Sequence, residues 1–308
     1  MKNIGYFDDK NREYVVTEMF PRRPLKNFLW NDGMITEVNQ FGFGAGKACI
    51  DKDFRTVVSD YRLVYLKDGE TGEIYDANRN FKNKPFSEFF ARVGLGYQIT
   101  ESLYNGIRTR LTVLVPERDY AEMHRVTVKN ETDGRKRFQL YYYVHPSVNL
   151  NCHDACGKAY ADEKQNMLYF SFRTFPKVSD YSDIFLSADR KARAFELTEE
   201  AFFGTYGGVS DPCALRKESL SGALPSFEPA YAGVLQYSVE LDAGEEQDFF
   251  FTVGTVRDRK EAERLAKTYT GGAAFQRELT ALKAQAEELI RKTLIQTDDG
   301  YLNSMVNI

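Results

Sequence analysis

Residues 107–144 read IRTRLTVLVPERDYAEMHRVTVKNETDGRKRFQLYYYV, and their alternation decides the fold class. Ile107, Thr109, Leu111, Val113 and Val115 fall on one face, with Arg108, Arg110 and Thr112 opposite. A period of two belongs to a strand with one side on a core. Pro116 ends the run because it cannot donate to a ladder. A second alternating run, EMHRVTVKN, is followed by ETDG and then by RKRFQLYYYV. The Asp133-Gly134 pair between two such runs predicts a hairpin. Phe138, Leu140, Tyr142 and Val144 share one face of its second arm.

The same grammar extends both ways along the chain. VLQYSVELDAGEEQDFFFTVG (234–254) predicts another hairpin, with Leu235, Tyr237, Val239 and Leu241 on one arm and Phe249, Phe251 and Val253 on the other. YRLVYLKDGETGEIYD (61–76) predicts a third, turning at Gly69 to Gly72. With 23 Phe and 19 Tyr, the composition suits pleated, half-buried surfaces. This many strands implies two stacked antiparallel sheets, a mainly β protein built as one large sandwich.

After Val256 the pattern changes to helical spacing. Arg259 to Tyr269 and Ala273 to Arg291 are rich in Ala, Leu, Glu, Lys and Arg, with Gly271-Gly272 between them. Phe275, Leu279, Leu282, Ala286, Leu289 and Ile290 mark the apolar stripe of the second helix. In QTDDGYLNSMVNI (296–308), Asp298 or Asp299 can cap a further helix carrying Leu302, Met305 and Val306. That apolar face has only begun where the sequence stops, which predicts a longer parent protein. The expected division is a sandwich over 1–256, a helical linker over 257–297 and the start of another domain over 298–308.

A net charge of −4 with interspersed acids and bases leaves no footprint for nucleic acid or an anionic membrane. No apolar run approaches the ~20 residues of a membrane span, and the polar N-terminus lacks the apolar core of a signal peptide. Four unpatterned cysteines suit a reducing compartment, so a cytoplasmic location is expected.

NLNCHDACGK (149–158) holds two cysteines, a histidine and an aspartate. As a metal site, Cys152, His153 and Cys156 offer at most three ligands where a structural zinc wants four. As a thiol nucleophile, Cys152 and His153 are neighbours that point apart in extended chain. Small-residue packing of the cysteines asks least of the sequence. NQFGFGAGKA (39–48), with glycine at alternate positions, reads as a turn or a close backbone approach, and it lacks the ending of a phosphate-binding loop. Trp30, the single tryptophan, is expected in the core of so aromatic a sandwich, with sugar stacking as the alternative. His124 and His145 read as structural.

GYFDDKNREYVVT (5–17) resembles the start of glycoside hydrolase family 94, formerly glycosyltransferase family 36, which contains cellobiose, chitobiose and related disaccharide phosphorylases. ARVGLGYQITESLYNGIRTRLTVLVP (91–116), HRVTVKNETDGRKRFQLYYYV (124–144), LDAGEEQDFFFTVGT (241–255) and DDGYLNSMVNI (298–308) are similar to later segments of the family, in the family's order.

The resemblance implies a galactose mutarotase-like β-supersandwich and a helical linker, followed in the parent by an (α/α)6 barrel of which 298–308 would be the truncated start. In the family, a barrel carboxylic acid protonates the glycosidic oxygen while inorganic phosphate attacks the anomeric carbon with inversion. None of those positions lies in these 308 residues. The chain alone is therefore expected to be inactive and to need no cofactor, phosphate being the parent's substrate. The implied partners are the missing barrel, a second copy in a homodimer, and a β-linked disaccharide or oligosaccharide, with no nucleic acid or membrane.

The resemblance also implies a carbohydrate-facing role for loops at a neighbour's active-site entrance. Asn149, Asn151, His153 and Asp154 have suitable donors and acceptors, and Gln40 and Phe43 lie in the glycine-containing loop bordering the same entrance. Two other functions remain open: a free-standing carbohydrate-binding module, and a mutarotase-type sugar epimerase, for which no acid–base pair is identifiable.

Overall fold

The computed structural model describes residues 4–147, 156–173, 180–224 and 230–307. The first nine strands are β1 (Gly5–Asp8), β2 (Glu13–Val16), β3 (Lys26–Trp30), β4 (Met34–Asn39), β5 (Gly46–Ile50), β6 (Asp53–Asp68), β7 (Ile74–Asp76), β8 (Glu88–Gly94) and β9 (Tyr97–Tyr104). The next nine are β10 (Ile107–Leu114), β11 (Ala121–Asn130), β12 (Lys136–Pro146), β13 (Cys156–Asp162), β14 (Met167–Arg173), β15 (Asp183–Ala188), β16 (Ala194–Thr198), β17 (Tyr231–Leu241) and β18 (Glu246–Val256). The helices are α1 (Glu199–Phe203), α2 (Arg259–Tyr269), α3 (Gly272–Thr293) and α4 (Gly300–Asn307).

Two antiparallel sheets face each other. One has ten strands in the order β1-β2-β8-β9-β10-β11-β18-β15-β14-β13, and the other has eight, β16-β17-β12-β6-β5-β4-β3 with β7 paired to β6. Alternation placed the core faces as expected. Ile107, Leu111, Val113, Val126 and Val128 of the first sheet meet Phe138, Leu140, Tyr142 and Val144 of the second in one buried cluster. Leu235, Tyr237, Val239, Phe249, Phe251 and Val253 join the same cluster.

Two of the three expected hairpins are something else. β11 pairs with β10 and β18, whereas β12 pairs with β6 and β17, so the turn at Asp133-Gly134 carries the chain from one sheet to the other. The turn between β17 and β18 does the same. A tight turn reverses the chain equally well within a sheet or across a sandwich, and only the partner strands decide between them. The hairpin at Gly69 to Gly72 does form, as β6 and β7 pair. A true two-residue hairpin joins β9 to β10, where Tyr104 faces Ile107 across Asn105 (φ 49°) and Gly106 (φ 73°). Left-handed backbone at both positions is what Asn-Gly supplies at low cost.

Outer layers cover both sheets. Tyr141 and Tyr143, on the outward side of β12, pack with Phe202, Phe203 and Leu215 of the segment beyond β16. On the other sheet, Leu265, Tyr269, Phe275 and Leu282 of α2 and α3 cover Tyr97, Leu114 and Met123. Asp258 caps α2 by accepting from the Glu261 N–H at 2.9 Å. The stripe on α3 runs beyond its support: Phe275 and Leu282 are buried, but Leu289 is exposed. Asp299 caps α4, accepting from the Tyr301 and Leu302 N–H groups. This short helix is tied back to the start of the sandwich by Ser304, which donates to Asp9 at 2.5 Å. Leu302, Met305 and Val306 remain exposed on it. Among the described residues no helix is long and apolar enough to cross a membrane.

Candidate functional site

The most concentrated chemistry lies between the sheets. Glu122 and His124 are two apart on β11 and so face the same way, toward Arg62 on β6 and Tyr142 on β12. All four side chains have zero exposure. Arg62 grips the Glu122 carboxylate with Nε at 2.6 Å and a terminal nitrogen at 2.7 Å. Thr36 donates to the same carboxylate at 2.8 Å. His124 Nε2 lies 2.8 Å from Glu122 Oε2, and the Tyr142 hydroxyl lies 2.5 Å from Nδ1. An ionised carboxylate only accepts, so Nε2 carries the ring proton and Nδ1 accepts from Tyr142.

Burial alone would raise the Glu122 carboxyl, but the charge of Arg62 and the bonds from His124 and Arg62 outweigh it and hold the group well below the usual carboxylate range. Burial lowers His124 despite the neighbouring carboxylate, which leaves the ring neutral near pH 7. An acid and a base thus stand within hydrogen-bond reach, as an epimerase would require. They have no access to a substrate, and every carboxylate oxygen is already taken. This constellation ties the two sheets together. Its sequence signal was Glu122 and His124 on the inward face of an otherwise apolar strand.

The glycine-rich stretch is built over this network. The free terminal nitrogen of Arg62 donates to the Gly44 carbonyl at 2.8 Å and the Gly42 carbonyl at 3.3 Å. Gly42 and Gly44 adopt φ of 81° and 138°, which turns those carbonyls inward. Any Cβ on Gly46 would collide with Glu122 Oε1. Asn39 closes the turn by accepting from the Phe41 and Phe43 N–H groups. Gln40 is buried, accepting from Leu25 N–H and donating to the Met19 carbonyl. Phe43 is buried in the outer cluster beside Phe41. The structure therefore places Gln40 and Phe43 inside the protein, with the turn acting as a close backbone approach to a buried cation.

Asn149, Asn151, His153 and Asp154 lie outside the described residues, as does Cys152. Cys156 opens β13. His145, next to last in β12, lies beside Glu199, with Nδ1 at 3.7 Å from the carboxylate.

Trp30 differs from expectation. It is 62% exposed on the edge strand β3, and Phe28, two residues earlier on the same side, is 52% exposed. Leu29, between them, takes the inward position. Both aromatics line a cleft of about 430 Å³ against α3, facing Leu282, Gln285 and Leu289, with Asp32 and Arg118 at its polar wall. Asn27 and Asn31 spend their amides on backbone carbonyls that shape the cleft floor.

Two large opposed antiparallel sheets, each with a covered outer face and followed by a pair of helices, define a β-supersandwich protein. Residues 12–272 match the family described as Glycosyl hydrolase 94, supersandwich domain, and the chain belongs to that family. It is 25% identical to solabiose phosphorylase of Paenibacillus borealis, over 100% of this chain and 42% of that one. It is 27% identical to the 3-O-beta-D-glucopyranosyl-beta-D-glucuronide phosphorylase of the same organism, over 99% of this chain and 40% of that one. The N,N'-diacetylchitobiose phosphorylase of Vibrio proteolyticus is 24% identical, over 98% and 39% respectively. The chain thus spans about two-fifths of the length of these relatives. Among solved structures, a bacterial glucoamylase complexed with acarbose shares the fold with a TM-score of 0.51 at 10% identity, over 96% of this chain and 42% of that one.

Proposed function

We propose that this chain serves as the N-terminal supersandwich and helical linker of an inverting, phosphate-dependent disaccharide phosphorylase acting on β-linked glucosides. The observation that carries the reading is the continuous match to phosphorylases along the whole chain, at about two-fifths of their length. The exposed apolar side chains Leu289, Leu294, Ile295, Leu302, Met305 and Val306 on and after the linker support it, since a following domain would cover them.

In this reading the catalytic acid belongs to the following domain. It protonates the glycosidic oxygen while a phosphate oxygen attacks the anomeric carbon, breaking the glycosidic bond and forming a sugar 1-phosphate of inverted configuration. No cofactor is needed. The sandwich contributes to dimerisation and to the substrate entrance, where Asn149, Asn151, His153 and Asp154 would face the partner's sugar. The protein would work in the cytoplasm.

The test is to read the gene past codon 308 and assay both versions for sugar 1-phosphate release from β-linked disaccharides. The longer protein should be active and this chain inactive. A stop codon at 309, or an inactive longer protein, overturns the reading.

A second reading, a free-standing carbohydrate-binding module, is favoured by the exposed Phe28 and Trp30 pair. Calorimetry with cellobiose, laminaribiose, sophorose and chitobiose tests it. Binding heat that disappears in Trp30→Ala would support the module.

A further inference from the structure

The cleft between β3 and α3 has two walls that belong to different parts of the fold. On one side, Phe28 and Trp30 stand exposed on the same face of the sandwich's edge strand. On the other, Leu282, Gln285, Ala286 and Leu289 follow the i, i+3, i+4, i+7 spacing of a single helix face. The floor between them is fixed. The Asn31 side chain accepts from the Gly33 and Met34 N–H groups at 2.8 and 2.7 Å, while its amide holds the Pro116 and Asp119 carbonyls.

The helix is unevenly held. Leu282 packs on Gly96, where an added Cβ would stand 3.3 Å from its own. From Lys283 to Thr293, however, no side chain of α3 is buried. Lys283, 4.6 Å over the Tyr97 ring, and Glu287, 2.7 Å from Arg12, tie down the other flank. On the cleft side this outer half has only Gln285 and the exposed Leu289 to offer.

The chemistry of the cleft selects its occupant. Asp32, Glu117, Arg118 and Gln285 line it, and among the described residues none of them spends its side chain on a hydrogen bond or an ion pair. Exposed aromatic rings beside carboxylates, a guanidinium and an amide suit a pyranose. Its C–H face lies on an aromatic ring, and its hydroxyls, which both donate and accept, need partners of both kinds. An anion would meet Asp32 and Glu117 instead, and a purely apolar guest would leave the four polar groups without partners. Phe28 and Trp30 lie about 7 Å apart along the strand, a spacing for two linked rings rather than one. A straight strand also matches the extended ribbon of equatorially linked gluco-configured rings, whose flat faces stay in line. The cleft's volume of about 430 Å³ falls within the ~300–1,000 Å³ of small-ligand sites.

We propose that the cleft is an effector site for a β-linked gluco-oligosaccharide, which stacks on Phe28 and Trp30, hydrogen-bonds to Gln285 and so clasps the outer half of α3 to the sandwich. This clasp rests on the carbohydrate reading of the aromatic pair and adds a mechanical consequence, since one ligand touches both walls.

Calorimetry and hydrogen exchange on this chain with cellobiose, cellotetraose and, as an acyclic control, mannitol test the clasp. Cellotetraose should bind, and at saturation exchange at 283–291 should slow by about threefold or more while 246–256 is unchanged. Mannitol should do neither. Trp30→Ala should weaken binding by about tenfold or more. Gln285→Ala leaves both rings in place, and it should weaken binding by about three- to tenfold, the worth of one hydrogen bond, and lose most of the slowing. Heat without slower exchange at 283–291 overturns the clasp and leaves the binding-module reading standing. Heat that persists in Trp30→Ala, or equal binding of mannitol, overturns it by placing the ligand elsewhere or making it unselective. No heat with either sugar removes the clasp and the module together. The phosphorylase reading is decided by the activity of the longer protein and by none of these outcomes.

Discussion

Arg62 and Glu122 form a two-pronged ion pair across the gap between the sheets, with nitrogen–oxygen distances of 2.6 and 2.7 Å and no solvent exposure on either side. A pair so placed repays the cost of desolvation only when every remaining donor and acceptor is used. Here Thr36, His124 and the Gly42 and Gly44 carbonyls complete the set. The network therefore fixes which strands face each other, and breaking it should be costly.

Glu122→Gln keeps the shape but leaves Arg62 buried without a counter-charge. Unfolding in urea should show a loss of about 3–5 kcal/mol. The double replacement Arg62→Met with Glu122→Leu should recover much of that loss. A Glu122→Gln protein as stable as the parent would show that the pair is not what joins the sheets.

Acid should weaken the fold in two stages. Burial depresses His124 when folded, so between its folded value and about 6.5 the unfolded chain binds one more proton. Stability is then complete above about pH 6.5 and falls by up to ~1.4 kcal/mol per unit on acidification. Glu122, also depressed, adds a further loss as pH drops below about 4.5. Urea midpoints from about pH 7.5 to about 5.5 should fall in the parent and change less in His124→Phe.

Two glycines make a matched pair. Gly46→Ala drives a methyl into Glu122 Oε1, which Arg62 and Thr36 hold in place, and should destabilise by about 2 kcal/mol or more. Gly134→Ala meets nothing within 4 Å and needs no left-handed backbone, so it should be neutral or stabilising by up to ~1 kcal/mol. Thermal melts of both variants check the contrast.

Asn130 holds the two sheet-crossing turns together. Its side chain donates to the Gly134, Leu241 and Asp242 carbonyls, and its own carbonyl accepts from Gly244 N–H at 2.9 Å. Asn130→Ala removes the two amide hydrogens that these three carbonyls share and should cost roughly 2–4 kcal/mol, at ~1–2 for each hydrogen lost. Hydrogen exchange should quicken at 131–135 and 242–245 together.

Trp30→Ala should change the stability of this chain by no more than ~0.5 kcal/mol, the usual range for an exposed site. A core tryptophan would cost ~3–5 kcal/mol. Equilibrium unfolding separates the two outcomes directly.

The sequence by itself determined the strands within 61–76, 107–144 and 234–254, their inward residues and the switch to helices after Val256. Each of these follows from short-range periodicity and from caps such as Asp258 and Asp299. It was silent on which sheet each strand joins. Asp133-Gly134 and the turn before β18 carry hairpin chemistry, yet both pass between sheets, because pairing with distant strands outweighs the turn. Alternation also could not bury Arg62 or expose Trp30. An edge strand has one side without a neighbour, and a core can hold a cation only where its counter-charge arrives from another sheet. Those outcomes depend on contacts far apart in the chain, and only the tertiary structure decided them.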